Sequence, residues 1–232
     1  MKSLVFDSSS VISITTNNLL DVLYKLKEKF KGEFLISHTV KEELIDNPLR
    51  TRRFELQAIM LADTLARGNF KFFDNTALNG KAEELTELAN TTFFIDKNPL
   101  KIVDKAEVEG LILAGMVNAE AYVMDERTLR LFVEDYRNLL QLLERKFESR
   151  VEVDKANLKR FKELIGNVKI IRSVELMTIA FEYGFFNEYN LGRKYVEDYK
   201  KKILEGILWG LRLRGCGIST REINDIMRIE RV

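Results

Sequence analysis

The stretch Leu4-Val5-Phe6-Asp7-Ser8-Ser9 decides the fold. Three apolar residues followed by an acid and a serine cluster are typical of a buried strand that ends in a polar turn. We therefore predict a strand over 4–6, with Asp7 at its C-terminal end. A helix over 19–30 is predicted next from its helical spacing of apolar residues, and a second strand over 33–37.

Beyond the second strand, helical patterns alternate with short apolar runs. Helices are predicted from residue 39 toward 47–48, over 53–67, near 82–88, over 104–118 and over 128–143, and strands over 70–73, 93–95 and 121–124. Such alternation predicts an α/β fold with a wound, mainly parallel sheet. Functional sites in these sheets lie beyond the carboxyl ends of the strands, where Asp7 and Asp125 both fall.

The pattern changes after about residue 150 to helical segments without a clear strand partner. Five apolar or aromatic residues at i, i+4 spacing predict a long amphipathic helix: Tyr195, Tyr199, Ile203, Ile207 and Leu211. Ser219-Thr220-Arg221-Glu222 has capping-box spacing and predicts the start of a last helix. We expect one domain over 1–150, and a helical extension or small second domain over 151–232.

The composition is that of a globular protein, with 46% hydrophobic and 31% charged residues. The single cysteine excludes an intramolecular disulfide, and the chain starts without a basic-then-apolar leader. No apolar run approaches the roughly 18 residues that a membrane span needs. We expect a soluble, cytoplasmic protein with no membrane partner.

The distribution of charge differs between the two parts of the chain. Residues 1–149 hold 20 Lys and Arg against 24 Asp and Glu, whereas residues 150–232 hold 17 against 12. The second part is therefore basic. Two interpretations remain open, a fluctuation among solvated faces and an electrostatic footprint for nucleic acid.

Helix geometry indicates which acids face inward. At 100° per residue, Glu43 lies about 60° from the apolar Val40, whereas Glu42 lies about 200° away. Within 104–118, Asp104 and Glu107 lie within about 40° of Leu111, and Glu109 is predicted on the far side. We therefore expect Glu43, Asp104 and Glu107 to border the core.

Acids beside apolar faces are costly to ionise unless a cation offsets their charge. Oxygen ligands suit Mg²⁺ or Mn²⁺, and one His with one Cys is too few for the usual zinc sites. Each acid also has a structural interpretation. Asp7 or Asp125 can cap a turn or helix, and Glu43 or Glu107 can pair with surface lysines.

In order and spacing, the acids and their neighbours resemble the PIN-domain family over roughly residues 1–150. The matching pieces are Leu4-Val5-Phe6-Asp7-Ser8-Ser9, Val40-Lys41-Glu42-Glu43-Leu44, Asp104-Lys105-Ala106-Glu107 leading to Leu113-Ala114, and Val123-Met124-Asp125-Glu126-Arg127 with Arg130. The resemblance implies a PIN-like three-layer fold. It also implies metal-site roles for Asp7, Glu43, Glu107 and Asp125.

The resemblance further implies that Glu126 shares the role of Asp125, that Asp104 supports Glu107, and that Ser8 or Ser9 orients Asp7. The activity it implies is hydrolysis of single-stranded or structured RNA by metal-activated water, and it makes a homodimer plausible. A catalytically inert RNA-binding or interaction module is the alternative. The chain departs from the family's pattern in its third acid, which is Glu where many relatives have Asp, and in a long segment over 47–98.

The sequence lacks the characteristic motifs of two other enzyme classes. An aspartyl-phosphate phosphatase needs a second Asp two residues after the first, where this chain has Ser9, and the P-loop motif is absent. His38 is interpreted as a loop or satisfied histidine. The extension also carries basic residues along the chain near Trp209. They suit either contacts with phosphates or a solvated helix face, and they are Arg193, Lys194, Lys200, Lys201, Lys202, Arg212 and Arg214.

Overall fold

The computed structural model describes residues 2–52, 54–73 and 77–232. Its strands are β1 Ser3–Phe6, β2 Glu33–Ser37, β3 Lys71–Phe73, β4 Phe93–Ile95, β5 Asn98–Pro99, β6 Ala121–Val123, β7 Glu152–Val153 and β8 Ile170–Ile171. Within the described residues, five of them form a parallel sheet in the order β3-β2-β1-β6-β8, and β5-β4-β7 form a small antiparallel sheet. The predicted α/β class with a mainly parallel sheet is confirmed.

Helices connect these strands. The α-helices are α1 Ser8–Thr16, α2 Leu20–Phe30, α3 His38–Lys41, α4 Asn47–Thr51, α5 Glu55–Ala66, α6 Ala77–Asn90, α7 Lys105–Met116, α8 Arg127–Glu134, α9 Tyr136–Phe147, α10 Lys155–Ile165, α11 Ser173–Glu182, α12 Tyr199–Leu213 and α13 Thr220–Ile229. A π-helical turn, Glu42–Asp46, joins α3 to α4, and a 3₁₀ segment, Asn187–Lys194, precedes α12.

Alternation along the strands divides the core between the two faces of the sheet. On β1, Leu4 and Phe6 face one cluster, while Val5 faces the other. The first cluster packs against α1, α2, α5 and α11 to α13, and the second against α6 to α10. The result is three layers, with helices on both faces of the sheet.

Residues after 150 belong to the same two cores. β8 is an edge strand of the main sheet beside β6, and β7 pairs with β4. Leu204, Leu208 and Leu211 of α12 are fully buried in the first cluster. The expectation of helices without a strand partner is therefore wrong, because two-residue strands carry too little periodicity to be recognised in a sequence.

Four local predictions need correction. The polar turn expected after Asp7 is the start of α1. The helix predicted over 128–143 breaks at Asp135, which has φ −149° and caps α9. The predicted stripe begins too early, since α12 begins at Tyr199 and Tyr195 is 82% exposed; its buried centre is Leu204, Leu208 and Leu211, with the predicted Ile203 and Ile207 only partly buried beside it. The helix predicted from residue 53 begins at Glu55, and Arg53 lies outside the described residues.

The capping box predicted at Ser219 is confirmed, with the Ser219 side chain accepting from the Glu222 N–H at 3.2 Å. Among the described residues, no helix is long and apolar enough to cross a membrane.

Candidate metal centre

Asp7 lies at the carboxyl end of the central strand β1. Its backbone N–H donates to the Val123 carbonyl of β6 at 2.9 Å, which places the two strand ends side by side. Its side chain is 2% exposed and caps α1, because Oδ2 accepts the Ser9 N–H at 3.1 Å and the Ser9 hydroxyl. The capping interpretation of Asp7 is therefore correct, and Ser9 orients its carboxylate.

Burial raises the pKa of the Asp7 carboxyl, and hydrogen bonds from Ser9, Ser8 and Tyr122 offset only part of that effect. The Tyr122 hydroxyl lies 3.4 Å from Asp7 Oδ1 and 3.1 Å from the Glu107 carbonyl oxygen. Tyr122 thus joins the strand end to helix α7. Among the described residues, no lysine, arginine or histidine forms an ion pair with Asp7.

Glu43 follows the neighbouring strand β2, on the π-helical turn. Much of the residue is exposed, yet partial desolvation of its carboxyl raises its pKa, and the charges of Asp7, Asp104 and Glu109 raise it further. Ser8 hydrogen-bonds to it and lowers the pKa. Glu42 is also exposed but lies 3.4 Å from His38 Nε2. Both glutamates are exposed, so the predicted contrast between a core-bordering Glu43 and an outward Glu42 is wrong, and the two residues differ in their neighbours instead.

Asp104 and Glu107 form a capping box at the start of α7, where Glu107 Oε2 accepts the Asp104 N–H at 3.2 Å. Asp104 is exposed and pairs with Lys101 at 2.7 Å. Its predicted place at the core border is therefore wrong. Glu109, predicted on the far side, is 3% exposed and accepts the Thr39 hydroxyl. The single-stripe analysis failed because α7 is enclosed on nearly every side from 108 to 114.

Burial also changes the pKa of Glu107. Desolvation raises its pKa to about 8, and the charges of Glu126, Asp7 and Asp104 add to the effect. Among the described residues, neither Glu107 nor Glu43 pairs with a lysine or arginine, so the surface-pair interpretation does not hold for them.

Asp125 and Glu126 point to different neighbours. Asp125 is 1% exposed, and Ser173 at the start of α11 donates to both of its carboxylate oxygens. Glu126 caps α8, where its Oε2 accepts the Leu129 N–H at 2.7 Å. Glu126 also lines a cavity of about 280 Å³ with Asp104 and Glu107. The acid of this pair nearest to Glu107 is therefore Glu126, and Asp125 serves the packing of α11.

The structure brings Asp7, Glu43, Glu107 and Glu126 into one neighbourhood of mutual charge repulsion at the carboxyl ends of β1, β2 and β6. Among the described residues, no three acidic, histidine or cysteine side chains converge closely enough to form a preformed metal cage. The donor set is all carboxylate oxygen, which suits Mg²⁺ or Mn²⁺.

Three residues that contact or surround the acids were not predicted from the sequence as site residues. Tyr122 bridges Asp7 and α7, Ser173 binds Asp125, and Glu109 is a buried acid beside Glu43. Tyr122 sits inside an apolar strand pattern, and a phenol in such a run is a usable signal because buried hydroxyls need a partner. Ser173 and Glu109 carry no such signal.

Comparison with protein-family models, with curated proteins and with solved structures finds no match to this chain.

Proposed function

We propose that this chain is a divalent-metal-dependent ribonuclease of the PIN-like type. One observation carries the proposal: at the edge of the sheet where α/β proteins place their sites, buried Asp7 lies near Glu43, Glu107 and Glu126, and among the described residues none of these four carboxyl groups forms an ion pair with a lysine or arginine. The ordered motifs described above, and the wound parallel sheet that carries them, are consistent with that family.

Asp7, Glu43, Glu107 and Glu126 would hold the ion. Bound Mg²⁺ or Mn²⁺ would lower the pKa of a coordinated water and stabilise charge on the phosphate. Hydrolysis adds that water across a P–O bond and leaves a phosphate on one fragment and a hydroxyl on the other. The chain's own contribution is positional, since Ser9 and Tyr122 hold the Asp7 carboxylate at the end of β1.

Lys101 lies beside the acids and would assist the approach of an RNA phosphate. Lys101 lines the cavity together with Asp104, Glu107 and Glu126, and it is 76% exposed at the rim. Its ammonium pairs with the exposed Asp104 at 2.7 Å, and a phosphate approaching the acids would compete for this weak surface pair. Repulsion between the RNA and the carboxylates would be reduced by this charge.

The test is cleavage of single-stranded RNA by purified protein with Mn²⁺, with Glu43→Gln compared against Glu42→Gln as the matched control. We expect Glu43→Gln to lose at least about tenfold in single-turnover rate, because it removes a charge near Asp7, and Glu42→Gln to keep the wild-type rate. Circular dichroism checks that both variants fold. Equal rates for the two variants would remove Glu43 from the site.

One observation favours the second candidate, a catalytically inert RNA-binding or interaction module. Asp7 and Asp125 both have structural hydrogen bonds that a protein without metal would also need. That candidate predicts no heat of Mn²⁺ binding in calorimetry, whereas the nuclease predicts binding that Glu107→Gln weakens. Calorimetry therefore separates the two without an activity assay.

A further inference from the structure

A second cavity, of about 660 Å³, lies between helices α8 and α9 and the segment from α12 to α13. Four arginines line it: Arg127, Arg130, Arg145 and Arg212. The acid in its lining is Glu222, which is engaged by Arg172 at 2.8 Å. The cavity is therefore strongly cationic, and half of its wall is built by residues beyond the PIN-like region.

Arg130 is the fixed part of the cavity. Its side chain is 15% exposed, and its Nη2 donates to the Gly217 carbonyl at 3.4 Å, while Nη1 lies 3.3 Å from Glu134. Its Nε–H is buried and has no hydrogen-bond partner among the described residues. Because Nε is inaccessible, an anion in the cavity would meet the partly exposed remainder of the guanidinium and not this N–H.

The other arginines are available to a ligand. Arg127 and Arg145 are exposed, and in the described part of the chain neither forms an ion pair; Arg145 Nε donates only to the Gln141 carbonyl. The guanidinium carbon of Arg212 lies 4.8 Å from the centroid of the Trp209 ring, and Nη1 donates to the Thr220 hydroxyl, so both contacts hold this group at the cavity wall. Planar guanidinium groups without counter-charges are suited to phosphate oxygens.

The cavity is joined to the acidic site through the backbone. Glu126 lines the acidic cavity and the next residue, Arg127, lines the cationic one. The Gly217 N–H donates to the Asp125 carbonyl at 3.1 Å, so the C-terminal wall is anchored at the same strand end. The two cavities therefore meet at consecutive residues of one backbone segment.

We propose that the arginine-lined cavity binds backbone phosphates of a single-stranded polynucleotide whose adjacent phosphodiester lies at the acids. The inference rests on the proposed function for the choice of polynucleotide over a free polyphosphate. A single strand carries repeating phosphates, so one phosphate can lie at the arginines while the next lies at the acids. A small anion would contact the arginines alone.

The experiment measures binding, not cleavage. A fluorescent oligouridylate is titrated by anisotropy in chelator over a range of salt concentrations, with wild type, Arg127→Gln/Arg145→Gln, and the control Arg67→Gln/Arg150→Gln. Both double variants lose two charges from exposed positions, but Arg67 and Arg150 do not line the cavity. Circular dichroism confirms that all three proteins are folded.

We expect the slope of log Kd against log salt to fall by about 1.4 in the cavity variant, since each phosphate contact to single-stranded nucleic acid contributes about 0.7. The control variant should keep a slope close to that of wild type. Equal slopes in the two variants would overturn the inference.

Tripolyphosphate distinguishes the source of the phosphate. If it raises the melting temperature of wild type but not of the cavity variant, while the RNA slopes of the two variants stay equal, the cavity takes a small polyphosphate and the inference is overturned. If the wild-type protein does not cleave RNA but the two variants still differ in salt slope, the proposed nuclease activity is contradicted. The proposal of a phosphate-binding cavity is then still supported.

Discussion

Ser173 donates two hydrogen bonds to Asp125, from its N–H to Oδ1 at 2.7 Å and from its hydroxyl to Oδ2 at 2.6 Å. This pair fastens helix α11 to the end of strand β6. Asp7, at the end of the adjacent strand, is buried to a similar degree; burial raises its pKa, and its charge raises the pKa values of Glu43 and Glu107. We therefore expect the two aspartates to have opposite effects on the stability of the metal-free protein.

We predict that Asp125→Asn lowers the stability of the protein in chelator by about 1–2 kcal/mol, because it removes a charge-assisted cap from α11. Asp7→Asn should be neutral or stabilising, since it relieves the cost of a buried charge while its amide oxygen still accepts from Ser9. Urea melts of both variants measure the difference. Equal destabilisation by the two changes would contradict the repulsion at Asp7.

The pH dependence of stability should follow Glu107. Its pKa rises from an ordinary 4.5 to about 8 in the native state, so the native state holds a proton that the unfolded chain releases between these values. The free energy of unfolding therefore falls as pH rises through that window, and the raised pKa values of Asp7 and Glu43 act in the same direction.

We expect wild type in chelator to lose about 6–13 °C more than Glu107→Gln in melting temperature between about pH 5.5 and 8.5. Scanning calorimetry at several pH values measures this. Parallel curves for the two proteins would show that Glu107 titrates normally. For wild type we also expect Mn²⁺ affinity to increase with pH up to about 8, because the ion must displace that proton.

Gly110 tests the contact that links Tyr122 to Asp7. A Cβ at Gly110 would overlap the Tyr122 ring, with its ζ carbon at 2.7 Å, so Gly110→Ala must push the phenol away from the Asp7 carboxylate. We expect a loss of at least about 2 kcal/mol in stability, from overpacking and a broken buried hydrogen bond. Weaker Mn²⁺ binding should accompany it.

Gly206→Ala is the control for that change. Gly206 lies inside α12 with no atom of the described residues within 4 Å of its Cβ position, so alanine there should stabilise the helix by up to about 1 kcal/mol. Chemical denaturation of both variants provides the comparison. A stable Gly110→Ala protein with unchanged Mn²⁺ affinity would contradict the bridging role of Tyr122.

The C-terminal helix α12 should behave as part of the core. Leu208 is fully buried, so Leu208→Ala is expected to cost about 2–5 kcal/mol, whereas Lys201→Ala on the exposed side should change stability by less than about 0.5 kcal/mol. Thermal unfolding should remain a single transition in the wild-type protein. Two separate transitions, or a mild effect of Leu208→Ala, would show that α12 is an independent appendage.

The sequence by itself determined the α/β class, the bounds of β2, the capping box at Ser219, and the placement of Asp7 at a strand end. Each depends on a local signal, an apolar run, a period or a cap, whose physics operates within a few residues. It also determined that acids would follow two parallel strands, since chain order and strand ends follow from the alternating pattern.

Only the tertiary structure decided which acids share one space. The sequence could not show that Asp125 turns toward Ser173 while Glu126 faces Glu107, because adjacent residues differ only in which distant element packs over them. It could not show that Glu109 is buried, since α7 is covered on most sides and a single-stripe analysis assumes one buried face. The edge strand β8 and the buried centre of α12 were missed for the same reason: their positions are set by contacts far apart in sequence.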